Sequence, residues 1–366
     1  IWRSARAPDV LNTYGIQAAV AYNASMKVEN PTSRDIAEIA GVSQATVSRA
    51  LRNSPLVRPE TREHIQKIAR ELNYFVNRNA AGLRTHQSNT IALLLFDEAD
   101  SGDAQINPFF LSMIGYISRS AASMGYDVLV SLQQLTDDWH IEYQASHRAD
   151  GLILLGYGDY VSYREKLDAL AAANTRFIIY GAYAADQPGL SLGCDNVKGG
   201  RMATEHLLEV GRQRVVIIGD TSQRHPEFAS RRDGYLEALN SAGIEPDPSL
   251  EIFADNTEED AYQAIREFLD KGIEFDGLFA VADVLAIGAL RALIDAGYTI
   301  PADISVVGFD DLPRAAFTNP PLTTVQQNIR EAGEGLVKAI VGLIEGKEVA
   351  SVQMQPKLIV RQTSGA

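Results

Sequence analysis

Two patterns of apolar and polar residues divide the chain into a small part and a large part. Between residues 32 and 76, apolar side chains recur at the three- and four-residue spacing of short amphipathic helices. From Thr90 onward, uninterrupted apolar runs such as TIALLLF and RVVIIGD alternate with segments long enough for helices. The first pattern predicts a small all-α domain, and the second predicts a larger α/β domain built on doubly wound parallel sheets.

The small part is predicted to contain three helices joined by short turns. The first follows Thr32 and Ser33, which are both suitable N-caps, and ends at Gly41. Ser43 then caps a second helix that runs to about Arg52, and a third helix begins with Pro59 in its first turn. The positions predicted to be buried are Val47, Ala50 and Leu51 on the second helix and Ile65, Ile68, Ala69 and Leu72 on the third. Two short helices joined by a Gly-containing turn and braced by a third form the helix-turn-helix pattern.

The outward side of the second helix carries small polar and cationic side chains instead of the Glu/Lys pairs that are usual on a solvated helix. Glutamine and arginine reach the hydrogen-bonding edges of bases, while serine and threonine hydroxyls suit phosphate oxygens. The side chains predicted to face outward are Gln44, Ala45, Thr46, Ser48, Arg49 and Arg52. This face indicates DNA binding, and a solvated helical bundle is the alternative interpretation.

The distribution of charge favours two separate tasks for the two parts. Residues 27–87 hold ten Lys/Arg against six Asp/Glu, whereas the whole chain of 366 residues has a net charge of −14. A basic segment is drawn to polyanions, and an acidic body is not. The length and the 46% share of hydrophobic residues suffice for more than one packed domain.

The composition excludes several other kinds of protein. The single cysteine, Cys194, excludes an internal disulfide framework and a cysteine-based zinc cluster, and the six histidines include no pair at metal-ligand spacing. No apolar run approaches the roughly 20 residues that a membrane-spanning helix needs. We therefore expect no metal, no cofactor and no membrane attachment, and a reducing compartment such as the cytoplasm.

Two segments that flank the small part are expected to lack independent structure. Residues 1–26 begin with Ile and contain no signal-peptide core, so we expect a poorly ordered extension upstream of a natural start at Met26. Residues 77–89, NRNAAGLRTHQSN, form a short helical pattern interrupted by Gly82, which costs about 1 kcal/mol of helix propensity. A helix this short orders only when a partner copy or a DNA groove covers it.

The sequence TSRDIAEIAGVSQATVSRALRNSPLVRPETREHIQKIARELNYFVNRNAAGLRTHQSNTIALLL resembles the headpiece and hinge of the LacI/GalR family of bacterial transcription regulators. The similarity extends over about residues 32–361. It implies a sequence-specific regulator, in most cases a repressor, that binds a pseudo-palindromic DNA operator as a homodimer. It also implies control by a small-molecule effector, a sugar or sugar derivative by family precedent, with relief of repression favoured over co-repression. Because no leucine heptad follows residue 361, we expect a dimer instead of a tetramer.

The resemblance implies a role for each polar residue on the outward face. Gln44 and Ala45 match the positions that choose bases in the major groove, and Arg49 matches a contact to bases and phosphates. Arg52 and Arg58 depart from the residues that are usual in the family, and both add positive charge near the DNA. The positions that match phosphate contacts are Thr32, Ser43, Thr46 and Ser48.

The hinge carries further implied DNA contacts. Asn77 and Ala80 match positions on the helix that enters the minor groove. Leu83 matches the family's apolar wedge, which is inserted between base steps and kinks the duplex. Val76 stands where the family more often has Pro, so the entry to the hinge is expected to be looser.

The large part resembles the family's effector-binding core, which is akin to periplasmic sugar-binding proteins. The headpiece is then predicted to span residues 27–76, the hinge 77–89 and the core 90–366. Two lobes with ligand between them are implied: lobe 1 at about 90–194 and 320–349, and lobe 2 at about 195–319 and 350–361. The chain is expected to cross between the lobes near Asp195, near Pro320–Thr324 and near Ala350.

The carboxyl ends of the predicted strands indicate where a ligand binds, because doubly wound sheets bind ligands there. The polar residues that follow the apolar runs are Asp97, Asp195–Asn196, Asp220, Asp283 and Asp310–Asp311. The resemblance adds Arg231 as the family's main ligand-gripping arginine and matches Asp310 to a ligand-binding carboxylate. Ala282 departs from an Asn that often bonds the ligand.

An arginine and an aspartate that face each other across a cleft suit a polyhydroxylated, nearly neutral ligand. Phe109 and Phe110 open the first helix beside the implied pocket, and together with Tyr157 they are candidates to cover the apolar face of such a ligand. The predicted effector-binding residues are Phe109, Phe110, Asp195, Arg231, Asp283 and Asp310.

Two alternative functions remain to be weighed. GLSLG at residues 189–193 matches the G-x-S-x-G pattern of hydrolases, but Ser191 lies within an alternating run instead of at a strand-to-helix turn. A solute-binding protein of the transport type has a similar core, but the helix-turn-helix segment and the missing signal peptide disfavour it. A DNA-binding regulator that is not an enzyme is therefore the favoured prediction.

Overall fold

The computed structural model describes residues 31–74, 87–97, 106–134, 143, 148–155, 160–181 and 187–365. The chain divides into two compact units, one ending at His86 and the other beginning at Gln87, and each is treated by itself. The predictions for residues 1–26, for the hinge positions Asn77, Ala80 and Leu83, and for Tyr157 lie outside the described residues.

The small unit contains the three predicted helices: α1 (Ser33–Ala40), α2 (Gln44–Leu51) and α3 (Pro59–Glu71). Thr32 caps α1, and Gly41 ends it with a φ of 65°, a left-handed conformation that glycine adopts without strain. Ser43 caps α2, as the sequence pattern predicts. The helix-turn-helix prediction is confirmed, and its boundaries follow from local capping chemistry.

The core of the small unit is built from one face of each helix. The buried side chains include Ile36 of α1, Val47 and Ala50 of α2, and Ile65 and Ile68 of α3. The prediction that Leu51 is buried is wrong in degree, since this last residue of α2 is only half-buried. A hydrogen bond from Gln66 Nε2 to the Ala50 carbonyl oxygen (3.3 Å) joins α3 to the end of α2. The buried face fixes which side of α2 remains outward.

The large unit begins with a run of parallel strands separated by helices. In chain order these are β1 (Thr90–Asp97), α4 (Pro108–Ser123), β2 (Asp127–Gln134), β3 (Gly151–Leu155), α5 (Tyr160–Ala172), β4 (Phe177–Tyr180) and β5 (Leu190–Cys194). Next come α6 (Asn196–Glu209), β6 (Val215–Ile218), α7 (Pro226–Ser241), β7 (Glu251–Ile252), α8 (Glu258–Asp270), β8 (Gly277–Ala280), α9 (Asp283–Asp295), β9 (Ser305–Asp310) and β10 (Thr323–Gln326). The chain ends with α10 (Ile329–Ile344), β11 (Val352–Met354) and β12 (Lys357–Ile359).

These strands form two six-stranded sheets, one in each lobe. The first sheet has the order β11-β5-β4-β3-β1-β2, and all its pairs are parallel. The second has the order β12-β10-β9-β8-β6-β7, with β12 antiparallel to β10. Strands β3, β4, β6, β8 and β9 are buried at every position, as expected for sheets covered by helices on both faces. The predicted two-lobed, doubly wound architecture is confirmed.

The positions where the chain crosses between lobes differ in part from the prediction. The first crossing lies at Asp195, as expected. The second was expected near Pro320–Thr324, but Thr324 and Val325 pair with β9 inside the second sheet, so the chain crosses at residues 327–328, called here the crossing segment. The third was expected near Ala350, but β11 pairs with β5 in the first sheet, so the chain crosses after Met354. Both errors arise because long-range strand pairing, and not local composition, decides which sheet a short strand joins.

Helices α6 and α7 approach each other unusually closely because two glycines lie at their contact. A Cβ atom on Gly200 would lie 2.0 Å from the Arg231 carbonyl oxygen, and one on Gly234 would lie 2.0 Å from the Val197 carbonyl oxygen. The two backbones therefore touch, and this contact fixes the position of the turn of α7 that carries Arg231.

Among the described helices, none is long and apolar enough to cross a membrane.

We expect Gly234→Ala to destabilise the large unit, because the added methyl group would force α6 and α7 apart. Overpacking of this kind costs about 1–3 kcal/mol. Gly115→Ala is the matched control, since Gly115 also lies in a helix but a Cβ there would meet nothing within 4 Å. Chemical denaturation gives the free energy of unfolding of each variant, and equal stabilities would contradict the close packing of α6 and α7.

Candidate functional sites

The outward face of α2 is the first candidate site. Gln44, Ala45 and Arg49 are exposed, while Thr46 and Ser48 are half-buried on the flanks of the same helix. The Arg49 side chain makes no hydrogen bond or ion pair with any residue in the described part of the chain, so its guanidinium is available to a partner. Gln44 donates only a long hydrogen bond, 3.4 Å, to Ser33 Oγ of α1.

The hydroxyl groups predicted to contact phosphates also cap the helices. Thr32 Oγ1 donates to Asp35 Oδ2 (2.7 Å), and the Asp35 N–H donates back to Thr32 Oγ1 (3.4 Å). Ser43 Oγ accepts from the Thr46 N–H (3.2 Å) and lies 2.9 Å from Thr46 Oγ1. The first N–H groups of a helix have no acceptor within it, so those of α2, beside the Ser43 hydroxyl, suit an anion such as phosphate.

The position of Arg52 differs from that of Arg49. Its Nε donates to the Ser48 carbonyl oxygen (3.2 Å) and its Nη2 donates to Ser48 Oγ (3.1 Å), so the side chain folds back along the last turn of α2. Arg52 therefore places positive charge at the C-terminal end of the helix, while Arg49 extends from its middle.

The second candidate site is centred on Arg231, which is buried in the second lobe. Its Nε donates to Asn196 Oδ1 (2.9 Å) and its Nη1 donates to the Val281 carbonyl oxygen (2.5 Å). The same Nη1 lies 3.7 Å from Asp310 Oδ1. The guanidinium also lies over the ring of Phe309, 3.8 Å from its centroid, in a cation–π arrangement.

A chain of polar contacts continues from Asp310 through the crossing segment to the first lobe. Gln327 Nε2 donates to Asp310 Oδ1 (2.7 Å), and Tyr180 Oη donates to Gln327 Oε1 (2.9 Å). Phe109 and Phe110 lie beside Tyr180, with ring centroids 5.8 Å and 6.5 Å from its own. The structure thus brings together four of the predicted or implied cleft residues from both lobes, with Gln327 between them.

Burial controls the protonation of these groups. It raises the pKa of Asp310 to about 6 against the opposing effects of the Arg231 charge and the Gln327 hydrogen bond. It also raises the pKa of Tyr180 well above its usual value, so the phenol remains a hydrogen-bond donor. Asp310 has a φ of 119°, a conformation that residues other than glycine rarely adopt and that is often found at functional sites. The site is therefore equipped to exchange hydrogen bonds with a polar ligand.

Asp195 and Asp283 each accept hydrogen bonds from the protein itself. Asp195 caps α6 by accepting from the Lys198 N–H (3.1 Å) at the first crossing. Asp283 is fully buried, and its two oxygens accept from the Leu312 N–H (2.8 Å) and from Thr324 Oγ1 (2.6 Å). Asp283 thus joins the segment after β9 to β10.

Three further residues of this site did not follow from the sequence: Tyr180, Phe309 and Gln327. Tyr180 is the last residue of β4, and Gln327 comes directly after β10. Both satisfy the rule that ligand-contacting residues follow the carboxyl ends of strands. The rule would have found Gln327 if the segment TTVQ had been recognised as a strand.

The structure contains no support for the hydrolase alternative. Ser191 is buried within β5, which continues to Cys194 before α6 begins, so it does not occupy a nucleophile elbow. In the ranges that the structure describes, no group of three or more His, Cys, Asp or Glu side chains is placed to hold a metal ion.

A helix-turn-helix unit with an outward polar helix, followed in one chain by a two-lobed α/β unit with a polar cleft, defines a ligand-responsive DNA-binding regulator. Comparison with known proteins agrees with this class. Residues 32–77 match the family model for bacterial regulatory proteins of the lacI family, and residues 204–364 match a periplasmic binding protein-like domain.

Individual relatives cover nearly the whole chain. The HTH-type transcriptional regulator CelR of Thermobifida fusca is 30% identical over 340 residues, which cover 91% of this chain and 98% of that protein. The solved structure of the Lac repressor dimer bound to operator and the anti-inducer ONPF is 27% identical, with a TM-score of 0.80, and the match covers 92% of this chain and 100% of that one. A complex of the regulator CelR with cellobiose is 29% identical, with a TM-score of 0.66, and covers 91% and 100%. The chain belongs to the LacI family of bacterial transcription regulators, and it is a DNA-binding regulator and not an enzyme.

Proposed function

We propose that the protein acts in the bacterial cytoplasm as a repressor that binds a pseudo-palindromic operator as a homodimer. A carbohydrate bound between the lobes of the large unit releases the DNA. The observation that carries the proposal is that one chain contains both features. The small unit presents an exposed Arg49 side chain without an internal partner, and the large unit contains a buried chain of polar contacts that joins its two lobes through Gln327.

The face of α2 supports the DNA-binding part of the proposal. Gln44, Ala45 and Arg49 are the exposed residues of this helix that can reach base edges in the major groove. Ser43 and Thr46, at the start of the helix, offer hydroxyl groups that suit the sugar–phosphate backbone. In the hinge, Asn77, Ala80 and Leu83 stay proposed minor-groove contacts by resemblance.

A homodimer is proposed because a single small headpiece makes too few contacts for useful specificity, whereas two half-sites multiply them. The similar Lac repressor structure is a dimer on its operator. Large apolar side chains are also exposed on each lobe, with Leu111 51% and Phe317 86% accessible, and such side chains are candidates for a subunit interface.

The cleft chemistry supports a carbohydrate as the effector. Arg231, Asp310 and Gln327 offer donors and acceptors to hydroxyl groups, while Phe109 and Phe110 offer apolar rings to the faces of a sugar. The similar CelR structure holds cellobiose. A ligand that bonds to both lobes favours the lobe arrangement in which both sets of contacts are made, and its effect on DNA affinity is limited by its preference for that arrangement.

We expect Arg49→Ala to weaken operator binding at least tenfold, because base contacts are each worth about 1–3 kcal/mol and a homodimer loses two copies. A duplex selected from a random-sequence library by the wild-type protein supplies the operator for fluorescence anisotropy. Arg70→Ala is the control, since it removes the same charge from an exposed position on α3. Equal affinities of the two variants for the selected duplex would contradict the role of α2.

The effector site is tested by a carbohydrate panel that includes cellobiose, followed by calorimetry on the sugars that bind. We expect Arg231→Lys to lower the affinity for such a sugar at least tenfold, since a lysine cannot reproduce the fixed fork of donors. Arg232→Lys is the matched control, because the neighbouring Arg232 bonds instead to Glu251 (2.6 Å and 2.7 Å). Unchanged sugar binding by Arg231→Lys would place the effector elsewhere.

A further inference from the structure

A cavity lies beside the crossing segment and shares one residue, Gln327, with the cleft around Arg231. It has a volume of about 520 Å³ and is bounded by α4 and the start of α10 from the first lobe and by residues 311–313 from the second. Arg231, Asp310, Phe109 and Tyr180 do not line it. A volume of this size accommodates a small metabolite.

This cavity and the cleft around Arg231 adjoin each other at the crossing segment. Gln327 lines the cavity and also bonds to Asp310, whereas Gln326 Nε2 donates to Asp311 Oδ2 (2.7 Å). The cavity of about 520 Å³, called here the crossing cavity, contains Asp311 and Gln326 in its wall.

The walls of the crossing cavity carry unbalanced positive charge. Arg119 is exposed, and its side chain makes no hydrogen bond or ion pair with a described residue. Arg330 is also exposed, and its guanidinium lies 5.4 Å from the centroid of the Tyr116 ring. The carboxylate in the wall, Asp311, is already paired with Arg361 Nη2 (2.6 Å), which lies outside the lining. Two guanidinium groups thus face the cavity without a carboxylate to neutralise them.

We propose that the crossing cavity binds a small phosphorylated metabolite. Guanidinium groups bind phosphate through charge-assisted, often bidentate hydrogen bonds, and Arg119 with Arg330 can supply them from α4 and α10. The uncharged remainder of the ligand would lie against the Tyr116 ring and extend toward Asp311 in the second lobe. Because such a ligand touches both lobes, its affinity depends on the angle between them, and it is energetically coupled to the ligand of the Arg231 cleft.

Calorimetry on the full-length protein tests the proposal, with inorganic phosphate, glycerol 3-phosphate and ribose 5-phosphate as probes and glycerol as the uncharged match. We expect at least one phosphate ester to bind with a dissociation constant below about 1 mM, and glycerol not to bind. The double variant Arg119→Gln/Arg330→Gln should weaken that binding at least tenfold. Arg201→Gln/Arg291→Gln is the matched control, because it removes two exposed arginines that are paired elsewhere with Glu205 and Asp295.

A steric variant tests the location independently of charge. Gly115 lines the cavity, and a Cβ there meets nothing within 4 Å, so Gly115→Phe is chosen to occupy the space with a ring. We expect this variant to lose phosphate-ester binding while its thermal unfolding stays near that of the wild type. Absence of binding to every probe, equal weakening by the two double variants, or full binding by Gly115→Phe would each overturn the proposal. None of these results depends on sugar binding at Arg231 or on DNA binding.

Discussion

The second lobe of the large unit is assembled around one buried guanidinium group, that of Arg231. A buried charge without partners destabilises a protein by several kcal/mol, so Arg231 can occupy its position only while its neighbours satisfy it. Those neighbours are an amide oxygen of Asn196, the carbonyl oxygen of Val281, the carboxylate of Asp310 and the ring of Phe309. They come from α6, from the end of β8 and from β9, so the whole second lobe must be assembled before the charge is stabilised.

Arg231 is linked to the first lobe by a chain of polar contacts. Asp310 contacts both Arg231 and Gln327, and Gln327, in the crossing segment, accepts a hydrogen bond from Tyr180 of the first lobe. A sugar bound there, as proposed above, would exchange internal hydrogen bonds for bonds to itself, and the balance between lobe arrangements would change with little net loss of polar contacts. A regulator needs this property, because its ligand must alter the geometry of the protein without unfolding it.

The sequence predicts most of the fold where the determining interactions are local. Thr32, Gly41 and Ser43 fix the ends of α1 and α2 within a few residues of themselves, and the predicted helices are found there. Arg231 and Asp310 followed from the family resemblance and lie together in the cleft. Long-range interactions were not predictable. Asp283 and Asp310 both come at or after the ends of buried strands. The Asp283 carboxylate, however, accepts hydrogen bonds from Leu312 and Thr324, which lie 29 and 41 residues further along the chain. The sheet that β10 joins is likewise decided by its pairing with β9 and not by its own composition.

A double-mutant cycle between Tyr180 and Asp310 tests the link between the lobes most directly. The two side chains belong to different lobes and are joined through Gln327. The free energies of unfolding of Tyr180→Phe, Asp310→Asn and the double variant give their coupling energy. A coupling of at least about 0.5 kcal/mol is predicted, as for residues in one hydrogen-bond network. Additivity to within about 0.3 kcal/mol would contradict a polar connection between the lobes at this site.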